Sequence, residues 1–487
     1  MTLSTMLPTR TTNGVAQPEH QSRFDHPAMG WAAVWLGVLA ACGLWRVALG
    51  EEGGGPAATW PRIVGGMAAA SLVFALLWVI GRAASPGAAL ARVAANLAPT
   101  ALLMSVFPLI AGEFSASMLG ATPALVVVLA VSVSVPWVCG IVAAPFYPAL
   151  SEVSRAEPTA FAAAFMRVWP PLVLWSAVPV VFFTTVCTVL IGWDGRAAAF
   201  FAAGLATNVL LAQALIVIQE LRMVGTQVAA WAAYAAALYA APQLWWLAPL
   251  AGVVVCLWRV RASLGAVRSV VVLNSKQVLP HMRDGALASS VLWLDKFLLI
   301  ALLWDRVDVY TVYVALIPMV VAQSLYFGRL YDSFHTYTQR LSRLVATCPA
   351  AELNTKVRAT CRRIEYVVLV PVALGVLGAV GIVGLAPVLG LKMAGALGFV
   401  VAAPLAFLCL SLACFQLNQL GGGDDTRLLC AAHGAATVLA LVFLPLAGAY
   451  VALIVIDGVL ATIAIARVRR RVCSAAFELF WKEAVAW

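Results

Sequence analysis

Two ionisable side chains stand next to each other in the middle of an apolar stretch. Asp295 and Lys296 occur about ten residues into the run 286–304, which otherwise consists mostly of aliphatic and aromatic residues. If this run crosses a membrane, each charge costs roughly 2.5–3.5 kcal/mol near the bilayer midplane. Such groups usually face a cavity or a partner. Because adjacent helical residues diverge by about 100°, we expect each side chain to have its own partner.

A third intramembrane charge offers a partner for this pair. Asp457 stands in the middle of the last apolar run and is a candidate mate for Lys296. In one interpretation Lys296 meets an anionic or sugar ligand, and Asp295 or Asp457 carries a coupling ion, H⁺ or Na⁺. In the other, the charges form a structural ion pair that fixes the helices.

Three more residues belong to the predicted pathway, each with a plainer alternative. Trp293 is placed to stack on a sugar or to join the interfacial aromatic belt. Glu113 is a cavity acid or an interfacial residue, and Gln323 binds ligand hydroxyls or another helix. The predicted transport pathway therefore consists of Trp293, Asp295, Lys296, Asp457, Glu113 and Gln323.

Patterns typical of enzymes and metal sites are lacking. The ten cysteines are scattered through apolar runs without paired spacing, which predicts neither a disulfide framework nor a zinc site. The segment 421–425, Gly-Gly-Gly-Asp-Asp, lacks the Lys-Ser/Thr ending of a phosphate loop. Glu51 and Glu52 are acidic residues in a predicted outer loop too short to build a catalytic site. We therefore expect a protein that is not an enzyme and holds no metal or organic cofactor.

The composition indicates what positions these residues. The chain has 487 residues, of which 63% are hydrophobic and 11% charged, whereas soluble domains carry about 25% charged residues. This predicts a polytopic membrane protein. The net charge of +10 is then a property of cytoplasmic loops rather than of a nucleic-acid surface.

Apolar runs long enough to cross a bilayer recur along the whole chain. A span needs about 20 apolar residues. We predict about fourteen spans, at 28–49, 62–81, 94–114, 123–145, 169–192, 198–219, 224–240, 243–258, 286–304, 308–328, 363–386, 394–417, 428–446 and 448–467. Lys and Arg concentrate in alternate loops, which predicts that both termini are cytoplasmic. Such a chain would reside in a bacterial cytoplasmic membrane as a multi-pass protein.

The loop lengths indicate an internal repeat. From 94 and again from 286 the order is helix, corner, helix, longer inner segment and four helices, with the second segment starting an even number of spans later. This predicts an all-α fold of two six-helix lobes related by a pseudo-two-fold axis along the membrane normal, with an added N-terminal hairpin. The predicted divisions are a disordered tail 1–27, a hairpin 28–81, an N-lobe 82–258, a linker 259–285, a C-lobe 286–467 and a cytoplasmic tail 468–487.

The inner segment 329–362 is amphipathic. Glu352 and Lys356 are spaced for an i,i+4 ion pair. Apolar residues would rest in the membrane interface while basic residues meet anionic headgroups, or the segment would dock a cytoplasmic partner. The predicted docking residues are Arg329, Asp332, His335, Arg340, Arg343, Arg362 and Arg363.

Three sequence stretches carry a family resemblance. They are Trp293-Leu294-Asp295-Lys296, then Tyr313-Val314-Ala315-Leu316-Ile317-Pro318, then the polar-aromatic exit 329–335. In these the chain resembles the PelG family of exopolysaccharide exporters, within the multidrug/oligosaccharidyl-lipid/polysaccharide (MOP) flippase superfamily, over about 82–480. The resemblance implies a transporter with two lobes around a central cavity. It also implies work with a cytoplasmic glycosyltransferase and other membrane subunits of a biosynthetic complex.

The repeat and the midplane charges predict an alternating-access or channel-like path between the lobes, and the resemblance implies that a polysaccharide, or its precursor, is exported through it. Two alternatives share the scaffold: a flippase for undecaprenyl-linked oligosaccharide and a drug/cation antiporter. A non-transporting membrane scaffold is a third, in which the midplane charges would not matter.

Overall fold

The computed structural model describes residues 86–115, 117–303, 309–348, 350–389 and 397–485. The predicted tail 1–27 and the predicted spans 28–49 and 62–81 lie outside these ranges, as do Glu51 and Glu52.

Thirteen α-helices of more than ten residues make up most of the described chain. They are α1 Pro86–Ser115, α2 Ala124–Ala143, α3 Pro158–Val186, α4 Gly195–Glu220, α5 Val224–Ala240, α6 Pro249–Arg259, α7 Ser275–Leu303, α8 Val309–Leu325, α9 Tyr331–Thr347, α10 Ala350–Leu389, α11 Leu397–Gln419, α12 Gly423–Phe443 and α13 Leu446–Val485. Shorter helical pieces adjoin them at Phe146–Ala149, Cys187–Ile191, Pro242–Leu244, Arg261–Arg268 and Tyr326–Leu330. Two-residue strands, Met118–Leu119 and Thr122–Pro123, pair antiparallel at one corner.

The prediction of an all-α polytopic protein is confirmed. Within the described ranges, nine helical segments are long and apolar enough to cross a membrane, or ten if α6 and Arg261–Arg268, bent by 94°, form one span. All twelve predicted spans between 94 and 467 fall on helices. The least typical is α6, whose 11 residues are too few for a full span.

Local chemistry sets several helix ends. Pro158 is the first residue of α3, where its missing N–H costs nothing. Asp194 caps α4, accepting hydrogen bonds from the backbone N–H groups of Arg196 and Ala197.

Contacts divide the helices into two compact units, with the boundary between Val309 and Tyr310. In the first unit α2 packs on α7 and α4, and α5 packs on α6 and α1. In the second, α11 packs on α13, α10 and α12, and α9 lies along α10. By its contacts α7 belongs to the first unit, although the sequence pattern assigned 286–304 to the C-lobe. The lobe boundaries and the two-fold axis stay predictions.

Helices at equivalent places in the two predicted lobes, 82–258 and 286–467, share local features. The second helix of each predicted lobe contains an internal proline, Pro136 in α2 and Pro318 in α8. The fourth helices, α4 and α11, are the most buried of the nine apolar segments. Both end in a left-handed residue, Arg222 and Gly421, followed by an N–H that reaches back five residues, as in a Schellman cap. These paired features support an internal repeat.

Candidate functional site

The two adjacent charges of α7 contact each other. Lys296 Nζ lies 2.8 Å from Asp295 Oδ1, and the two side chains are 4% and 1% exposed. The expectation that they diverge is therefore wrong. The four-carbon stem of lysine is long enough for its ammonium to turn back toward the preceding residue. The angle of about 100° between adjacent positions does not account for this reach. The pair is buried in this conformation, an arrangement that a structural ion pair also explains.

Small residues let α7 approach α2 very closely. A Cβ placed on Gly285 would lie 2.5 Å from the carbonyl oxygen of Gly140, and one on Gly140 would lie 1.8 Å from Ser289 Oγ. Close crossings of this kind are the usual means by which small residues hold membrane helices together. The crossing fixes the depth and rotation of the helix that carries the ion pair.

Aromatic rings pack beside the ion pair. Phe297 makes edge-to-face contacts with Trp137 of α2 and Phe183 of α3, at centroid distances of 6.1 and 5.1 Å. The rings of Trp137 and Phe183 lie 5.0 Å apart. Trp137 Nε1 donates a 2.9 Å hydrogen bond to the carbonyl oxygen of Ala286. This cluster joins α2, α3 and α7.

A cavity of about 640 Å³ lies against the same cluster, within the first unit. Trp137 and Phe183 form part of its wall, and the N-terminal half of α7 forms another. Its lining is mainly apolar, apart from Ser275 and the two cations Lys276 and Arg283. Its volume is in the range of small-molecule sites.

The second unit holds a buried polar pair that sequence reasoning missed. His433 of α12 and Asp457 of α13 have no exposed side-chain surface, and His433 Nδ1 lies 2.8 Å from Asp457 Oδ1. Thr437 Oγ1 lies 3.3 Å from His433 Nε2. The available signal was a histidine and an aspartate at similar depth in consecutive apolar runs, but only the aspartate was singled out.

The surroundings of this pair are closely packed. The ring of Phe407, from α11, meets His433 edge to face at 5.2 Å. Thr437 and Cys430 are buried beside the histidine on α12. Asp457 therefore has a partner, His433, within its own unit. Its predicted pairing with Lys296 stays a prediction.

The other predicted pathway residues occupy less enclosed positions. Trp293 and Gln323 are half-buried, on α7 and α8. Glu113 accepts a 2.9 Å hydrogen bond from Gln243 Nε2, which ties the end of α1 to the corner before α6. This contact fits the interfacial interpretation of Glu113. Of the predicted set, Trp293, Asp295 and Lys296 share α7, whereas Gln323 and Asp457 belong to the second unit.

The predicted docking segment is helical and partly packed. Phe334 and Leu341 of α9 are buried within the protein, because α9 lies on α10, whereas the amphipathic pattern suggested a place in the membrane interface. Arg363 of α10 stacks over the Tyr337 ring at 5.9 Å. The predicted Glu352–Lys356 pair forms, at 2.6 Å, and the Lys356 ammonium lowers the pKa of the Glu352 carboxyl. Six of the seven predicted docking residues are exposed and Arg329 is half-buried; the exposed ones are Asp332, His335, Arg340, Arg343, Arg362 and Arg363.

The corner 117–123 is tied to the start of α4. Asp194 Oδ2 accepts a 2.8 Å hydrogen bond from the Ala121 N–H. Gly120 has φ +66°, and a Cβ there would overlap the Asp194 carboxylate. Hydrogen bonds from the backbone N–H groups of Ala197 and Ala121 hold the pKa of Asp194 below its ordinary value.

No group of three or more His, Cys, Asp or Glu side chains is placed to hold a metal ion within the described ranges.

No family model and no curated protein matches this chain by sequence. Similar solved structures include a crystal structure of MATE in complex with Br-NRF, at 15% identity, covering 80% of this chain and 96% of that one, with a TM-score of 0.46. An outward-facing multidrug resistance MATE family transporter of the MOP superfamily is 12% identical over 86% and 95%, with a TM-score of 0.41. The inward-facing form of such a transporter is 10% identical over 80% and 94%, with a TM-score of 0.34. Likenesses at this level establish neither family nor substrate, so the PelG-type resemblance stays a prediction.

Proposed function

We propose that this chain is a transporter that exports a polysaccharide, or its precursor, across a bacterial cytoplasmic membrane. The observation that carries this proposal is the Asp295–Lys296 pair, 1% and 4% exposed, inside a helix apolar enough to cross a membrane. Charged groups at that depth are rare and usually mark a substrate or ion pathway. The choice of a polysaccharide as the substrate rests on the sequence resemblance around 293–335.

The mechanism we propose is alternating access. With the ion pair buried, ligand reaches it only in a second conformation, in which α7 exposes the ammonium and carboxylate to a wet path. Lys296 would then meet anionic or hydroxyl groups of the ligand, and Asp295 would hold a coupling H⁺ or Na⁺. Substrate exchange and exposure of the pair would occur together, which prevents leakage.

We further propose that the exposed polar face of α9 and the start of α10 docks a cytoplasmic glycosyltransferase. Arg340, Arg343, Arg362 and His335 are exposed there, while the apolar side of α9 packs on α10. A face that carries several exposed cations suits recognition of an acidic surface on the partner.

A cation-coupled drug antiporter is a second candidate, favoured by one specific observation. His433 and Asp457 form a fully buried imidazole–carboxylate pair within two helices that are apolar enough to cross a membrane, and proton relays in membrane transporters use such groups. Lys296 argues against a cationic drug at α7, because the lysine ammonium and the drug would repel each other.

The test measures secreted polysaccharide and dye efflux in a deletion strain that carries variants of the gene. Asp295→Asn with Lys296→Met removes both charges at similar volume, and such neutral replacements of buried pairs often fold. Asp295→Lys with Lys296→Asp retains both charges in exchanged order. Arg268 is an exposed cation on the Arg261–Arg268 segment. Its replacement, Arg268→Gln, is the control.

We expect the neutral and exchanged variants to insert and melt normally, yet to restore no secreted polymer, while Arg268→Gln restores it fully. Secretion at the wild-type level from the neutral variant would refute the pathway role. Loss of dye efflux in the neutral and exchanged variants, with the amount of secreted polymer unchanged, would favour the antiporter.

A further inference from the structure

The cavity between α2, α3 and α7 has a chemistry that the proposed transport path does not use. Its apolar wall includes Trp137, Phe183 and Ile141, and its volume is about 640 Å³. It borders Val178 and Phe182 of α3, whose side chains are 52% and 60% exposed. In a membrane-spanning helix, exposed apolar side chains of this size contact acyl chains, so the cavity borders the lipid.

Two cations stand on one face of α7 at this cavity. Lys276 and Arg283 are seven residues apart, two helical turns or about 10 Å, and both line the cavity together with Leu279 and Pro280 between them. Both side chains are exposed. Arg283 Nε and Nη2 both donate to Asp284 Oδ1, at 3.2 and 3.1 Å. That contact occupies one edge of the guanidinium and leaves Nη1 for an anion.

The lining excludes the other ligand classes considered for this chain. A sugar needs several hydrogen-bonding side chains, and Ser275 is the one hydroxyl lining the cavity. A cationic drug would meet two positive charges. A ligand with an apolar chain and an anionic head satisfies both halves of the cavity at once.

We propose that this cavity binds an anionic phospholipid of the surrounding bilayer. One acyl chain lies in the apolar part, against Trp137 and Phe183, and the phosphate lies between Lys276 and Arg283. Basic pockets between membrane helices at the cytoplasmic side bind anionic headgroups in this way. The inference holds whichever substrate the protein transports.

The experiment is native mass spectrometry of the full-length protein, released from nanodiscs of phosphatidylglycerol and phosphatidylcholine with equal acyl chains. Lys276→Gln with Arg283→Gln removes the headgroup contacts. Val178→Trp fills the lipid-facing edge without changing charge. Arg268→Gln removes a cation of the preceding segment Arg261–Arg268, outside the cavity, and is the control.

We expect a retained phosphatidylglycerol adduct in the wild type and in Arg268→Gln. Retention should fall about 25-fold in the double glutamine variant, since each basic residue contributes about a factor of five. Retention should also fall in Val178→Trp. Equal retention of the two lipids, or unchanged retention in both cavity variants, would overturn the proposal. Displacement of the adduct by glycerol phosphate, which has no acyl chains, would also overturn it.

Discussion

His433 Nδ1 lies 2.8 Å from Asp457 Oδ1, and neither side chain reaches the surface. In the neutral histidine, Nδ1–H donates to the carboxylate while Nε2 accepts from the Thr437 hydroxyl, 3.3 Å away. The protonated histidine keeps the same Nδ1 bond. The pair therefore holds α12 to α13 in either charge state.

Removing one member of this pair should cost more than removing both. His433→Leu leaves a buried carboxylate without its imidazole, and breaking a buried pair costs about 3–5 kcal/mol. We expect a large loss of melting temperature in detergent for that variant, and a smaller one for His433→Leu with Asp457→Leu. Thr437→Val, which removes only the weaker contact, serves as the control. Additive effects of the two leucine substitutions would show that the residues do not interact.

The crossing of α2 and α7 should not tolerate a side chain at Gly285. A methyl group there would lie 2.5 Å from the Gly140 carbonyl oxygen and 3.0 Å from the Ala144 methyl. Overpacking of this kind costs about 1–3 kcal/mol. We expect Gly285→Ala to lower the melting temperature, whereas Gly381→Ala, where a methyl group would meet open space, leaves it unchanged or raises it. Equal stability of the two variants would contradict the close crossing.

The Asp194 cap should stabilise the protein in a pH-dependent way. Its pKa is lowered in the folded state, so its contribution is complete above the ordinary value of 3.8 and is lost as the pH falls through the folded value. We expect Asp194→Ala to melt below the wild type at neutral pH, with the gap closing in acid. Gly120→Ala, which crowds the carboxylate, should show a similar defect. A gap that stays constant with pH would rule out the carboxylate as its source.

Two glutamines at equivalent places should make modest contributions. Gln213 Nε2 of α4 donates to the Leu172 carbonyl of α3, and Gln416 Nε2 of α11 donates to the Ile364 carbonyl of α10, both at 3.4 Å. Gln213 Oε1 also accepts a 3.2 Å hydrogen bond from Trp169 Nε1. Interhelical hydrogen bonds in membrane proteins average about 0.6 kcal/mol. We expect Gln213→Leu and Gln416→Leu each to lower the melting temperature slightly and to add in the double variant, because they lie in different units. Strong non-additivity would contradict independent units.

The helices were predictable because their apolar runs are long and basic residues separate them. The sequence pattern failed where a helix continues through charged residues. α7 starts at Ser275, whereas Lys276, Pro280 and Arg283 indicated a linker up to 285. Its polar face carries those charges while Val278 and Met282 are buried on the other, an amphipathic pattern that a search for uniform hydrophobicity does not detect.

The sites were less predictable than the helices. Position along the chain identified Asp295, Lys296 and Asp457 as intramembrane charges. The structure buries all three side chains, and their role in a transport pathway stays a prediction. Partners depend on helix rotation and side-chain reach, which a single sequence does not give. For this reason the sequence does not single out His433, and the angle of about 100° between adjacent helical positions predicts no contact between Asp295 and Lys296.

The continuity of α7 links two chemistries. Arg283 and Lys296 are thirteen residues apart on one helix, about 20 Å along its axis, and no proline interrupts the stretch between them. That stretch acts as a stiff rod, so a tilt that draws the ammonium toward water also pulls the guanidinium against its surroundings. A lipid bound at Arg283 would therefore resist or assist the movement of the buried charges at the other end of this stretch.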